Sequence, residues 1–562
     1  MLTRPWMIAA SLAALGCNAI FGIEPGQLAE GGAGGTGAAG ASGGAGATPE
    51  GGGPSGGGGA SCVDNDSQPC FEDDPQKANV GECSPGEQIC EGGVFGECVG
   101  QVLPTTEDCN DPGDEDCDGN ACSDVVWVKQ LSADSIFALI SDVSADGEIL
   151  VSGSFRGSLN LGNPPLESAT TTGFAAILES DGEVRWAKQM PFDFPLLSFG
   201  PSGRVVLSTA VRNPLTLAGT TFTPQGVSDI LVALFDSSTG EALSGTLVGG
   251  PGEDTGALRV FPSGDFLLFG TTDTGINLGP PIGILAPTVA TQGAFIVRLT
   301  SDLDPLWGRV IEHDIPSYPF APNVWVEQHG EKSMVVTNFI ERLVEPACPF
   351  FGGNQQNVSL SVVDASGTVE WTACTQGNAQ FKGVAVSPDG EPTLLLRLDA
   401  MTRLQPPLGQ TLDVIPNGQA DLHIWKVGSS GSTLWSKKFG DQEAQGNEEG
   451  FAFGLAYGDD GRLVFASNLQ GGIDFGGGIT IQSDGDTDAF LSVLLSNGDA
   501  AWARAMGGPG PQQSFSTVAS VPGTNEIVGA VFSASDIEFG DGTVFTPTSP
   551  GGLDSFIVKF QP

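Results

Sequence analysis

The sequence predicts an all-β protein: a seven-bladed β-propeller of four-stranded blades, behind a small disulfide-rich module and a disordered Gly-rich tether. Three observations lead there. A tryptophan-marked repeat of about 60 residues runs from Val125 onward, the two ends of that region are complementary fragments of one repeat, and cysteine and glycine are concentrated in the segments before it.

The repeat is clearest in a Trp followed by a small or apolar residue and a base: Trp127-Val128-Lys129, Trp186-Ala187-Lys188, Trp307-Gly308-Arg309, Trp435-Ser436-Lys437 and Trp502-Ala503-Arg504. Trp371-Thr372-Ala373 is a degenerate copy. The copy due near residue 245 lacks its Trp but keeps the preceding Asp236–Gly240 turn, which makes seven modules. In each, an alternating run leads into an Asp-Gly-type turn (Ile140–Gly147, Gly383–Gly390, Gly454–Gly461) and a second strand (Glu148–Phe155, Arg462–Asn468). A stretch carrying Leu159-Asn-Leu-Gly162, Ile276-Asn-Leu-Gly279, Ile473-Asp-Phe-Gly476 or Ile537-Glu-Phe-Gly540 comes next. A third strand follows (Phe174–Leu178, Ala294–Leu299, Phe490–Leu495, Ser555–Phe560), then a glycine turn into the Trp strand. The first module opens on an orphan Trp strand, Val125–Leu131, and the last ends on Phe556–Phe560 without one. The fragments complete one blade, so the N-terminal strand is expected to close the ring and remove its exposed edges.

Upstream, Arg4, the apolar run Met7–Leu15 and Gly16-Cys17 have the order of a signal peptide and are too short to span a membrane. Ala14-Leu15-Gly16-Cys17 resembles a bacterial lipobox, which implies a signal peptide over 1–16 and acylation of Cys17. Residues 17–61 are then a linker, nearly pure Gly, Ala, Ser and Pro from Glu30 to Ala60. Its Gly53-Pro54-Ser55-Gly56-Gly57 has the spacing of a nucleophile elbow but neither the strand nor the helix that an elbow needs. Residues 62–124 form an acidic module with cysteines at Cys62, Cys70, Cys83, Cys90, Cys98, Cys109, Cys117 and Cys122. Sixteen acidic residues stand between Cys62 and Cys122 against Lys77 alone, with few large apolar side chains, so disulfides or metal must hold it. Which cysteines pair is not readable from spacing. Cys348 and Cys374 are left to staple an irregular part of the propeller region, residues 125–562.

Lysine and arginine total 22 against 67 acidic residues, a net charge of −45. Such a surface repels phosphate backbones, which excludes nucleic acid as a partner and favours divalent cations. Ten pairable cysteines imply an oxidising compartment, and no C-x-x-C pair supplies a zinc-ribbon or thioredoxin spacing. His313, His329 and His423 lie in separate stretches, without H-E-x-x-H or any phosphate loop. Glu312, His313, Asp314 and Tyr318 form one polar cluster in a long connection, read as a solvated loop.

Asp488-Ala-Phe, Asn497-Gly498, Trp502-Ala-Arg, Gly507-Gly508 and Gly458-Asp-Asp-Gly461-Arg resemble the bacterial β-propeller repeat (SBBP-type) of secreted lipoproteins. The resemblance covers 125–562 and implies architecture more than activity. The cysteine module resembles an acidic region of such lipoproteins that is often assigned a metal-binding role, through Glu107-Asp-Cys109 and Asp114-Glu-Asp-Cys117-Asp118-Gly119. Asp236–Gly240 and the Gly…Trp endings resemble the Trp-docking motif of quinoprotein propellers. The repeats there are shorter, and the Trp is read here as blade-to-blade packing rather than as a sign of a quinone cofactor.

Hard oxygen ligands crowd one loop: Asn110, Asp111, Asp114, Asp116 and Asp118, which suits calcium. Asp484, Asp486 and Asp488 form a second Asp-Gly run, read as turn chemistry. Recognition is expected on the face of the longer connections, 157–172, 270–292, 311–322, 398–419 and 440–450. These readings describe a non-enzymatic binding or scaffold lipoprotein of the cell envelope. Its membrane contact is the lipid on Cys17, with Asn18 favouring the outer membrane, and its partner is a protein or glycan. The alternatives are a glycan-active propeller enzyme and a periplasmic envelope-assembly factor. Calorimetric titration with calcium, on oxidised 62–562 and on a 62–124 fragment, is expected to show stoichiometric binding in both, lost in Asp114→Ala and Asp116→Ala.

Overall fold

The computed structural model describes residues 62–73, 75, 77–80, 82–105, 117, 125–192, 195–280, 282–288, 292–312, 323–340, 343, 348, 355–446, 454–510, 512–540, 543–549 and 552–561. The chain divides into two compact units, with the boundary between Ser123 and Asp124.

In the first unit the strand Ser67–Cys70 pairs with Gly86–Glu91, which turns back onto Val94–Phe95. Its apolar side chains are too few for a core, and Val63, Ile89, Val94 and Val99 are exposed. Disulfides take the place of a core: Cys62–Cys90, Cys70–Cys98 and Cys83–Cys117 close spans of 28, 28 and 34 residues. Each removes about 3–4 kcal/mol of unfolded-chain entropy in the loop-closure picture. Cys109 and Cys122 lie outside the described residues.

The second unit is all strand among its described residues. Blade 1 is Ser135–Val143, Ile149–Leu159, Leu166–Leu178 and Val184–Met190; blade 2 is Leu196–Gly200, Arg204–Val211, Asp229–Asp236 and Ala242–Val248. Blade 3 is Asp254–Val260, Phe266–Thr272, Gly293–Leu299 and Pro305–Ile311; blade 4 is Asn323–His329, Lys332–Ile340, Gln356–Val363 and Val369–Gln376. Blade 5 is Ala379–Val386, Pro392–Leu398, Asp421–Val427 and Thr433–Phe439; blade 6 is Leu455–Tyr457, Leu463–Leu469, Asp488–Leu494 and Ala500–Met506. The last sheet, blade 7, takes Gln513–Ser520, Ile527–Ser533 and Asp554–Phe560 from one end of the propeller region and Val125–Leu131 from the other. The N-terminal strand therefore closes the ring, with Lys129 opposite Ile557.

Seven apolar clusters fill the spaces between sheets, one for each neighbouring pair, including Leu150 with Leu207 between blades 1 and 2 and Ile140 with Ala530 across the closure. The middle strands of each sheet are covered on both faces, so Gly293–Leu299, Leu463–Leu469 and Asp554–Phe560 are buried at every position. This explains why they read as continuous apolar runs while the outer strands alternate.

The Trp repeat is the lock between neighbours. Trp186 on the outer strand of blade 1 donates its indole N–H to the Ser237 carbonyl in blade 2 (2.8 Å), and Trp307 of blade 3 donates to Ala365 in blade 4 (2.9 Å). Trp371 reaches Ser429 and Trp435 reaches Ser496 in the same way, and Trp127 of the closing strand reaches Ser180 in blade 1. Each ring lies on a glycine of the receiving turn held at positive φ. A Cβ on Gly367 would come within 2.7 Å of the Trp307 ring, and one on Gly240 within 2.8 Å of Trp186. Blade 2 tests the rule internally: Ser244 stands where the Trp would be, and the receiving turn of blade 3 carries Leu303 at φ 70° instead of a glycine. Trp502 faces the closing sheet, where the chain's two ends replace the turn. Gly367→Ala is expected to lower stability by about 1–3 kcal/mol in thermal unfolding, whereas Leu303→Gly stays within about 1 kcal/mol.

Candidate functional site

The connections from second to third strands are built, not loose. Leu215–Leu217 with Thr220–Phe222, Ile276–Asn277 with Ile284–Leu285, Gly472–Gly476 with Ile479–Gln482, and Ile537–Glu538 with Val544–Phe545 are small two-stranded hairpins. In the last three an Ile-x-(Phe/Leu)-Gly arm turns apolar side chains inward, with Ile276, Ile473, Ile537 and Phe539 buried. In blade 1 the expected 157–172 connection is largely strand, because the second and third strands keep pairing out to Leu159 and Leu166.

Blade 4 carries the largest elaboration. Arg403–Gln405 pairs with Cys374–Gln376, and Thr402–Gln405 with Leu412–Val414, extending the sheet to six strands. Arg403 clasps Asp413 through two hydrogen bonds of 2.6 and 3.0 Å, Leu404 is fully buried, and Cys374 is bonded to Cys348. A hairpin pinned in this way nonetheless exposes Met401, Leu408, Leu412 and Ile415, the last at 62 %.

The acidic residues on this face are mostly structural. Asp229, Asp421, Asp488 and Asp554 each open a third strand and are nearly inaccessible. Their Oδ2 atoms accept the N–H of Gln225 (2.9 Å), Asn417 (2.6 Å), Asp484 (2.6 Å) and Thr548 (2.9 Å), tying the connection down. Burial raises the Asp421 and Asp488 carboxyls above their ordinary value. In the Asp484-Asp486-Asp488 run only Asp488 is buried, turned to the Asp484 backbone. Among the described residues no three His, Cys, Asp or Glu side chains gather to hold a metal. Asp111, Asp114, Asp116 and Asp118 lie outside those residues. So do His313, Asp314 and Tyr318; Glu312, the described member of that cluster, accepts the Thr288 N–H (2.9 Å) and hydroxyl (2.6 Å).

At the tight-turn face, buried cations are paired: Arg298 with Asp265 (2.8 Å) and Glu331, Lys426 with Glu391 (3.0 Å), and Lys559 with Glu526 (2.6 Å). One polar group lies across the ring axis and was not legible in sequence. Arg259 on the inner strand of blade 3 pairs with Glu327 of blade 4 (3.0 Å), and Asp142 of blade 1 lies within their field. Burial pushes the Asp142 carboxyl up to about 6, against the Phe199 N–H (2.8 Å) and the Arg259 charge, which favour its ionised form. Arg259 and Glu327 are paired with each other, so Asp142 is the member of the group whose carboxyl burial raises. The other histidines are in packing positions: His329 lies under Gly390, and His423 is buried between blades 4 and 5.

No family model matches the chain, and no curated protein matches it. Among solved structures it is similar to hydrazine synthase of Kuenenia stuttgartiensis, at 12 % identity and a TM-score of 0.38 over 72 % of this chain and 95 % of that one. It is also similar to a quinohemoprotein alcohol dehydrogenase of Pseudomonas putida, at 10 % identity and a TM-score of 0.34 over 78 % and 76 %. BamB of Moraxella catarrhalis aligns at 10 % identity and a TM-score of 0.32 over 77 % and 98 %. Likenesses this remote carry no argument about activity, and the fold rests on the strand pairing itself.

Neither ring nitrogen of His423 has a hydrogen-bond partner among the described residues, and burial drives its pKa from 6.5 down to about 3. Such a depressed base stabilises the fold above pH 6.5, and that contribution is lost as pH falls towards 3. His423→Leu is therefore expected to reduce by about 2 kcal/mol the stability lost between about pH 7.5 and about pH 5, measured by denaturant unfolding.

Proposed function

We propose that the protein is a non-enzymatic binding or scaffold lipoprotein of the cell envelope, presenting the hairpin face of its propeller to a protein or glycan. The carrying observation is the blade 4 hairpin. An edge clasped by Arg403–Asp413 and the Cys348–Cys374 bond holds Met401, Leu408, Leu412 and Ile415 exposed on a rigid base, at the energetic cost of leaving apolar surface in water. A protein partner covers such side chains better than a glycan does. Acylated Cys17 supplies the membrane contact in this reading, Asn18 directs the chain to the outer membrane, and Asp111, Asp114, Asp116 and Asp118 hold calcium in the cysteine module.

The glycan-active alternative has one observation in its favour, the raised pKa of Asp142. It lacks a second unneutralised carboxylate beside that acid among the described residues. An envelope-assembly role in the periplasm predicts that protease added to intact cells leaves the propeller in place. Immobilised residues 62–562 are expected to retain a protein from detergent-solubilised envelopes, with retention falling at least about tenfold when Met401, Leu408, Leu412 and Ile415 are all changed to Ser. Retention unchanged by those substitutions, or hydrolysis of envelope glycans that Asp142→Asn abolishes, would replace this reading.

A further inference from the structure

The turns that receive the Trp strands share a glycine and differ in the residue before it. Trp127, Trp186, Trp307 and Trp371 are received by Asp181-Gly182, Thr239-Gly240, Ser366-Gly367 and Ser430-Gly431. Trp435 of blade 5 is received by Asn497-Gly498 of blade 6. Asparagine before glycine is the pair most open to attack of a backbone nitrogen on the side-chain amide, because glycine has no Cβ to obstruct it. The chain has one other such pair, Asn417-Gly418. The two are held in opposite ways.

Asn497 is exposed, and its Oδ1 accepts the Asp499 N–H (3.0 Å) while its Nδ2 donates to Oδ2 of Asp499 (2.7 Å). This Asx turn curls the amide back over the peptide that joins Asn497 to Gly498. The Asp499 N–H also faces the oxygen on which negative charge develops during such an attack. Asn417 is drawn the other way, towards the outer strand of blade 5. Its Oδ1 accepts from Lys438 Nζ (2.7 Å), its Nδ2 donates to the Gly440 carbonyl (3.0 Å), and its own N–H is held by Asp421 (2.6 Å). The following glycine is wedged, since a Cβ on Gly418 would lie 2.3 Å from the Gln442 carbonyl oxygen. We propose that Asn497 is a self-modification site, where the Gly498 nitrogen displaces ammonia and the isoaspartate that follows opens the lock between blades 5 and 6.

In the first step a bond forms between the Gly498 nitrogen and Cγ of Asn497, and the Cγ–Nδ2 bond breaks. The Gly498 nitrogen gives its proton to water, and the leaving ammonia takes one from water. Water then opens the cyclic imide. Opening at Cγ gives aspartate on the original backbone, a copy of the turn that receives Trp127, where Oδ1 of Asp181 accepts the Glu183 N–H (3.0 Å). Opening at the main-chain carbonyl gives isoaspartate, whose backbone runs through Cβ and Cγ and is one carbon longer. The receiving turn has no room for that carbon. The Gly498 N–H closes on the Leu495 carbonyl (2.8 Å), the Ser496 carbonyl holds the Trp435 indole (2.9 Å), and a Cβ on Gly498 would already lie 3.0 Å from the Trp435 ring. Lengthening the chain between Asn497 and Gly498 pulls these contacts apart, so the lock is released by time rather than by a ligand.

The test is to hold the oxidised full chain in mildly alkaline buffer for days and to map its peptides by mass for loss of ammonia, gain of acid and isoaspartate. Asn497 is expected to convert at least about tenfold faster than Asn417, which must first break a charge-assisted bond to Lys438. In denaturant the two are expected to convert at similar rates, which isolates the effect of the fold. Hydrogen exchange over 493–500 is expected to lose at least about tenfold in protection as isoaspartate accumulates. Asn497→Asp is expected to keep that protection, as a copy of the Asp181 turn, and Asn497→Gln to keep it throughout the incubation. Equal rates at the two asparagines in the folded chain would overturn the proposal, as would survival of Asn497 there while it converts in denaturant. So would isoaspartate without loss of protection, or a loss already present in Asn497→Asp, since the opening would then come from charge and not from backbone length.

Discussion

Everything in the ring depends on the contact between one sheet and the next. A four-stranded sheet with both faces apolar cannot exist in water alone, and here each face is covered by the neighbouring blade, as with Phe155 and Ile557 across the closure or Phe439 and Phe465 between blades 5 and 6. That demand fixes the apolar content of the middle strands and leaves polar chemistry chiefly to the two faces of the ring, its axis and its outer strands. At the faces most buried charges serve the same contact. Lys559 holds Glu526 and the Ser180 carbonyl of the next blade, and Arg298 reaches from Asp265 to Glu331.

How much of this could be read from sequence follows from how local each signal is. The Trp strand and its glycine turn were legible because an indole that docks on a backbone carbonyl needs both a fixed spacing and a residue without Cβ. The loss of Trp near residue 245 together with the appearance of Leu303 shows the two requirements acting as one. The closing strand was legible from incompleteness at both ends. The connections were less so. Gly157–Thr172 looks like a loop by its Gly, Asn and Pro content, yet the pairing of Gly157 with Ser168 and Leu159 with Leu166 carries the strands through it, because Leu159 and Leu161 find a buried place beside blade 7. The hairpins after Ile276, Ile473 and Ile537 had a signal, alternation over four residues, too short to separate from a turn.

The candidate sites divide along the same line. Asp484, Asp486 and Asp488 were read as turn chemistry, and Asp488 accepts the Asp484 N–H of its own loop. Groups whose members come from different blades are not displayed by a linear pattern. The Asp142, Arg259 and Glu327 group was missed for that reason: its members are separated by whole modules, and ring geometry alone brings them together. The disulfide pairing is a similar case, since the crossed order Cys62–Cys90 and Cys70–Cys98 follows from the hairpin of Ser67–Cys70 on Gly86–Glu91.

The closing sheet sets a schedule for the chain's birth. Gln130 and Asp554, joined by a hydrogen bond of 2.6 Å, are 424 residues apart, so the first propeller strand to leave the ribosome is used last. Six sheets are complete in sequence before the seventh has its partner, and until then Asp554–Phe560 and Val125–Leu131 are unpaired edges at opposite ends of one chain. Two nascent copies meeting at that stage present each other with the strand that each one awaits. A ring closed this way is safe from edge-to-edge exchange only once Asp554–Phe560 has emerged, which places its most vulnerable interval during synthesis rather than in the folded molecule.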